Sequence, residues 1–510
     1  MALLSRAERT KIEKLAELTY TNPFLPERIS LERQLLGRTY RPNAGDVWSY
    51  TPGPDAGENT ERIREQIESL AATVRERLQA GQRGDDREYE LYDDLIRHLL
   101  YFRLDQGWRS AGDPQWKRSP AAWKCFQADH QHFLAVGELA FPSRALAAHL
   151  FALIDQIHRA FHQIFLSVIG RSRAAGRLRA AIWQSIFTHD IRRYHRALFR
   201  QMAQIATLIV GASGTGKELV ASAIGRSQYV PFDARRDRFV AEPTESFYPL
   251  HLAALPSTLV ESELFGHAQG AFTGASRERA GWLEIAGPHG VVFLDEVGEI
   301  EMSVQVKLLR VLQSRTFQRL GEQTPRQFQG KFIAATNRDL RREIDLGSFR
   351  QDLFFRLCAD VIRTPSLREQ LSEVPGDLEH SVRFIAQQFA DSEADSVTAD
   401  VLRWIELNMP PDYAWPGNFR ELEQCVRNVL VHNAYDFAGT ATVTTSGRLA
   451  ATGTGMESLA LTAEEVQRRY CTFAYWKLQN YELAADRLKL DRRTLRTKVD
   501  DQFLKELESS

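Results

Sequence analysis

The chain has 510 residues, a net charge of −1, 43% apolar and 26% charged residues, so it is long enough for about three globular domains. Near-neutral charge excludes a globally basic nucleic-acid or membrane binder, and any such surface must be local. The four cysteines form no CxxC pair, which excludes a zinc-ribbon or disulfide framework and fits a reducing cytoplasm. MALLSRAERTKIEK lacks the apolar core of a secretory signal, and no uncharged apolar run reaches membrane-spanning length.

Residues 1–178 read as a helical region. Ile63, Ile67, Leu70, Val74 and Leu78 recur at helical spacing, as do Leu91, Leu95, Ile96, Leu99 and Phe102. A third stripe runs Leu150, Leu153, Ile154, Ile157, Phe161, Ile164, Phe165 and Val168. These stripes predict a bundle core. Asp155, His158 and His162 lie off the last stripe and read as a solvated face rather than a metal site. The clustered acids and Lys of a phosphorylatable receiver are not found here.

From about residue 179 to 370 the pattern becomes α/β. TLIVGA, GVVFLDE and GKFIAATN are apolar runs ending in glycine or polar residues, as buried parallel strands do. Residues 371–436 return to helix, 437–456 read as a Thr/Gly/Ala-rich linker, and 457–510 as a small helical domain. The fold class is therefore multidomain, with a central α/β domain between helical regions.

Gly211, Ala212, Ser213, Gly214, Thr215, Gly216 and Lys217 follow the strand TLIV and precede a helix. That context makes a phosphate-binding loop, whose N–H groups face phosphate oxygens while Lys217 reaches the outer phosphates. Glu218 stands where the general motif has a Mg²⁺-binding Ser or Thr. Val291–Leu294 run into Asp295, the expected metal ligand, and Glu296, the expected polariser of the attacking water. Thr336 and Asn337 end the third strand and are candidates to sense the γ-phosphate or orient that water. ATP and Mg²⁺ are the implied cofactors.

GASGTGKE, ESELFGH, GAFTGA, VVFLDEVGEI, VKLLRVLQ, AATNRDL, FRQDLFFRL and WPGNFREL occur in this order between Trp183 and Leu430. The ordered set resembles the bacterial enhancer-binding proteins, AAA+ ATPases that activate sigma-54 RNA polymerase. The family's phosphate loop also ends in Glu, which accounts for Glu218. The resemblance implies that Gly270, Ala271, Phe272, Thr273, Gly274 and Ala275 form the loop that touches sigma-54, with Phe272 and Thr273 at its tip. It implies that Arg350 and Arg356 act in trans on a neighbouring subunit's phosphates, hence a ring, expected to be hexameric. Arg420 matches the lid's sensor arginine. Two departures stand out. His251 occupies the place of the family's switch Asn, with Glu296 as its expected partner, and Tyr229–Pro249 is longer than usual and reads as a surface excursion.

Near the end, Glu482–Leu488 and Asp491–Val499 have helix-turn-helix spacing, with Asp491 as N-cap. They resemble the Fis-type end of the same family. Asn480-Tyr481 replaces the family's usual Gly-Asn. Arg492, Arg493, Thr494, Arg496 and Lys498 are the expected contacts to double-stranded DNA. The expected whole is a cytoplasmic, DNA-bound, ATP-driven activator of sigma-54 polymerase holoenzyme. The competing expectations are an ATPase remodelling another protein, against which GAFTGA argues, and a non-catalytic repressor, against which intact Lys217, Asp295 and Glu296 argue.

Overall fold

A computed structural model describes residues 3–42, 57–111, 118–242, 247–252, 255–436, 462–478, 480–500 and 504. The expected linker 437–456 lies outside them. The chain divides into two compact units, 1–426 and 427–510.

Among the described residues the first unit begins with eight α-helices: α1 (Arg6–Tyr20), α2 (Pro26–Leu36), α3 (Glu58–Gln79), α4 (Asp86–Ala111), α5 (Pro120–Leu134), α6 (Ala147–Ser167), α7 (Arg173–Phe187) and α8 (Ile191–Arg196). Local signals set several ends. Ser5 and Glu8 form a reciprocal capping box on α1, and Ser119 and Ser172 cap α5 and α7. The three apolar stripes of the sequence are the buried faces of α3, α4 and α6.

The α/β part follows: β1 (Thr207–Val210), α9 (Lys217–Arg226), β2 (Phe232–Asp233), β3 (Arg238–Phe239), β4 (Phe247–His251), α10 (Ser257–Phe265), β5 (Gly266–His267), β6 (Arg279–Ala280), α11 (Trp282–Ile285) and β7 (Val291–Asp295). Then come α12 (Met302–Ser314), β8 (Thr316–Phe317), β9 (Arg326–Gln327), β10 (Lys331–Thr336), α13 (Leu340–Asp345), α14 (Gln351–Leu357) and β11 (Asp360–Arg363). Helices α15 (Leu367–Glu373), α16 (Asp377–Ala390), α17 (Ala394–Asn408) and α18 (Asn418–His432) form the helical lid region.

Five strands make one parallel sheet in the order β11-β1-β10-β7-β4. Alternate residues serve opposite faces, so both covers are apolar and the central strands read as continuous apolar runs. Ile209, Phe293, Ile333 and Ala335 join one core, while Leu208, Val292, Leu294, Phe332 and Ala334 join the other. The first core is shared with the N-terminal helices: it runs from Leu3 to Ile362 and takes in Phe151, Leu178, Trp183, Val220 and Ile224 without a break.

Two expectations need correction. Tyr229–Pro249 is not a surface excursion, because its hairpin β2–β3 buries Phe232 against Trp123 and Phe151, with ring centroids 4.8 Å apart in each pair. Arg118 lies over the Phe239 ring and pairs with Glu242. Nor do Asp155 and His158 form a solvated face. Asp155 is buried and accepts from Arg159 Nε at 2.8 Å, with Arg118 at 3.6 Å, and buried His158 packs on the Tyr101 ring. Only His162 of the three is exposed. Among the described residues no group of three or more His, Cys, Asp or Glu is set to hold a metal, and no helix is long and apolar enough to cross a membrane. The cysteines are free.

In the second unit, α19 (Ala463–Leu478), α20 (Tyr481–Leu488) and α21 (Arg492–Lys498) pack Cys471, Ala484, Ala485 and Leu495 into a small core. Asn480 caps α20, Lys489 turns the chain with φ +52°, and Asp491 caps α21, so the expected helix-turn-helix is formed.

Candidate nucleotide site and partner loop

The phosphate loop leaves the C-terminal end of β1, the strand that separates β11 from β10. Connections leave β1 and β10 in opposite directions there, and open parallel sheets bind ligands in such a crevice. Gly214 and Gly216 take φ of +75° and +84°, left-handed turns that glycine adopts without strain. A Cβ on Gly214 would meet the Gly417 carbonyl oxygen at 2.1 Å, so the loop and the lid approach as bare backbone.

Lys217 is buried, and its Nζ donates to the carbonyls of Gly211 at 3.0 Å and Ala212 at 3.3 Å. It lies 3.8 Å from Glu296 Oε1. Glu296 itself is left-handed, φ +56°, a conformation that costs a non-glycine residue and clusters at functional sites. Its Oε2 accepts the Asn337 N–H at 3.2 Å. Lys217, Glu296 and the Asn337 backbone are thus brought together. Thr336 is fully buried, and its hydroxyl accepts the Arg338 N–H at 3.1 Å, which holds the turn after β10. Thr215 donates to Ala212 and meets the Thr364 hydroxyl at 2.7 Å, while Ala212, Ser213 and Glu218 are exposed.

The lid reaches the same loop. Phe419 N–H donates to Gly214 O at 3.0 Å, Asn418 Nδ2 to Ser213 O at 2.9 Å, and Arg420 Nη1 to Ser213 Oγ at 3.2 Å. Asn418 is buried with φ +54°, and its Oδ1 accepts the Leu367 N–H. Sequence reasoning assigned Arg420 but missed Asn418; the signal was an Asn directly after Pro416-Gly417, where a left-handed turn residue is common. Thr364 at the end of β11 was also missed. His251 ends β4 and meets Asp295, not Glu296: Nδ1 is 3.3 Å from Asp295 Oδ2.

Arg350 pairs with Asp352 at 2.7 Å, which holds that carboxyl below its ordinary range, and Arg356 is exposed. Neither bonds to the phosphate loop of its own chain among the described residues.

The GAFTGA stretch is the loop of the short hairpin β5–β6, directly after α10. Gly270 N–H donates to Ala275 O at 2.8 Å and Ala275 N–H to Phe272 O at 3.0 Å, so the loop is closed on itself. Phe272 is 41% exposed, with its ring edge-on to buried His267 at 5.0 Å, and Thr273 is exposed. Ala275 departs from the expected outward set, because it is buried at the loop's base. The neighbouring β8–β9 hairpin buttresses the loop through paired bonds between Ala268 N and Leu320 O and between Leu320 N and Gly266 O, each 2.9 Å.

In the second unit Arg493, Thr494 and Arg496 are exposed on α21. Arg492 pairs with Glu482 at 2.8 Å and Lys498 Nζ bonds to Gln467 Oε1.

The family described as Sigma-54 interaction domain matches residues 184–363. The Nif-specific regulatory protein of Azotobacter vinelandii is 42% identical over 241 residues, 46% of this chain and 42% of that one. The DNA-binding transcriptional regulator NtrC of Bradyrhizobium sp. (strain RP501 Parasponia) is 34% identical over 343 residues, 60% of this chain and 67% of that one. The chain thus spans under half of the first relative and two thirds of the second. A crystal structure of NtrX from Brucella abortus in complex with ATP is 24% identical, covering 73% of this chain and 77% of that one, with a TM-score of 0.40.

Proposed function

The chain belongs to the bacterial enhancer-binding proteins, the sigma-54-dependent transcriptional activators, and from that premise we propose that it hydrolyses ATP to remodel sigma-54 polymerase through its GAFTGA loop. The observation that carries this reading is the meeting of Lys217 and Glu296, 3.8 Å apart, at the mouth of a glycine loop.

In this reading the loop amides and Lys217 bind the phosphates, and nucleotide takes the place of the carbonyls as Lys217's partner. Glu296 accepts a proton from the attacking water, and Asn337 keeps its carboxylate aimed. The Asp295 carboxylate is an oxygen donor of the kind a Mg²⁺–nucleotide complex takes, and the cation would neutralise charge on the phosphates. Arg420 and Asn418 couple the lid to the loop's contents. Arg350 and Arg356 serve the next subunit's site in a hexameric ring, where a guanidinium stabilises transition-state charge. Phe272 and Thr273 touch sigma-54, since an exposed ring on a closed loop is a partner contact. Arg492, Arg493, Thr494, Arg496 and Lys498 bind DNA phosphates and bases.

ATP turnover tests the catalytic part. Glu296→Gln and Arg356→Ala are each expected to lose at least about 100-fold, while Glu296→Gln still binds nucleotide. Mixing the two variants is expected to restore turnover, because some mixed sites hold an intact Glu296 and an intact Arg356. Full turnover by Glu296→Gln, or a mixture as dead as its parts, contradicts the reading.

A further inference from the structure

His251 and Asp295 are register partners on adjacent parallel strands, at the end of the sheet where the phosphate loop lies. Such partners present their side chains to one face. Nδ1 of His251 is 3.3 Å from Asp295 Oδ2, and the imidazole side chain is 53% exposed. Glu296, one residue on, is engaged by Lys217 and the Asn337 N–H instead. The ring therefore attends the metal-binding carboxylate rather than the water-activating one.

The general phosphate-loop motif supplies a hydroxyl after its Lys, and here that residue is exposed Glu218. Neighbouring ligands on an octahedral ion with bonds near 2.1 Å sit about 3 Å apart. The His251–Asp295 spacing matches that edge. Imidazole nitrogen is a ligand for first-row transition ions, whereas Mg²⁺ holds to oxygen. Two protein ligands completed by phosphate oxygens and water suffice for a nucleotide-borne cation.

We propose that His251, through Nδ1, is a second protein ligand for the divalent cation that accompanies the nucleotide at Asp295, and that it biases the site toward Mn²⁺ over Mg²⁺. The inference rests on the ATP-site reading given above. Ligation takes the imidazole tautomer with its proton on Nε2, which leaves the Nδ1 lone pair for the cation.

Pulsed electron paramagnetic resonance of the full chain loaded with Mn²⁺ and ADP, freed of unbound nucleotide, tests this. Wild type is expected to show ³¹P coupling from the phosphates together with ¹⁴N coupling from the imidazole. His251→Asn is expected to keep the ³¹P coupling and lose the ¹⁴N coupling. It is also expected to release Mn²⁺ at a Mg²⁺ concentration lower by about tenfold, the scale on which partners of a metal site act. Retained ³¹P coupling shows that the variant is folded and loaded. Wild type with ³¹P but no ¹⁴N coupling overturns the proposal, as does ¹⁴N coupling unchanged in His251→Asn. Wild type with neither overturns the nucleotide-site reading and this proposal with it.

Discussion

The two faces of the central sheet are covered in different ways. On one face Leu208, Leu294 and Phe332 meet α10 to α14, helices that follow β1 in the chain. On the other, Ile209, Phe293 and Ile333 share a core with α9, while α7 lies against β11 and α6 packs on α9. A parallel sheet needs both covers. The N-terminal helical region therefore forms a second layer over α9, in one continuous core with that face of the sheet. Its contact extends to the lid, where Asp377 accepts the N–H groups of Arg171 and Ser172 and Glu373 that of Ala174, at the start of α7. Acceptors at a helix start satisfy otherwise unpaired amides.

The largest effect expected from this comparison is at Phe151. It is fully buried, with Trp123, Phe126, Phe232 and Phe239 around it. Phe151→Ala is expected to cost about 3–5 kcal/mol, and to lower the melting of helices and sheet together. Thermal unfolding with and without nucleotide checks this. A separate early transition that leaves nucleotide-dependent stabilisation intact would break the comparison. By the same logic, deleting residues 1–178 is expected to yield insoluble protein rather than a released ATPase.

A smaller effect sharpens it through pH. In the helices, His98 is buried against Thr19, and burial pushes its pKa down to about 3 from 6.5. The unfolded chain takes that proton near pH 6.5 and the folded chain does not, so stability is lost as pH falls from 6.5 toward 3. In the sheet, Lys331 is 1% exposed, with its Nζ on Ile205 O at 2.9 Å, and burial brings it from 10.5 down to about 8. Here the unfolded chain holds the proton longer, so stability rises between pH 8 and 10.5. Unfolding free energies from denaturant melts across pH are expected to flatten on the acid side in His98→Gln and on the alkaline side in Lys331→Met, each by on the order of 2 kcal/mol. Unchanged profiles contradict the assigned burial.

The sequence was most legible where chemistry is local. A phosphate loop needs left-handed turns within a few residues, so its glycines announce it, and β1, β7 and β10 declare themselves as apolar runs because they are buried on both sides. The edge strands β4 and β11 did not. FYPLH contains Pro249, which lacks an N–H and is tolerated because only one side of an edge strand is paired, and DVIR is too short to show a period. The β2–β3 hairpin was misread because Phe232 finds its partners about a hundred residues upstream, and Asp155 because Arg118 comes from the segment just before α5. Neither pairing has a local signature. The partner of His251 depended on strand register: one position decides between Asp295 and Glu296.

In the proposed function the closed loop carrying Phe272 and Thr273 turns ATP hydrolysis into work on sigma-54 polymerase. ATP-dependent open-complex formation on a sigma-54 promoter, wild type beside Thr273→Ala, tests it most directly. Wild type is expected to open the promoter, while Thr273→Ala is expected to hydrolyse ATP at a comparable rate and leave it closed. Promoter opening by Thr273→Ala at the wild-type level, or wild-type turnover that opens nothing, would contradict it.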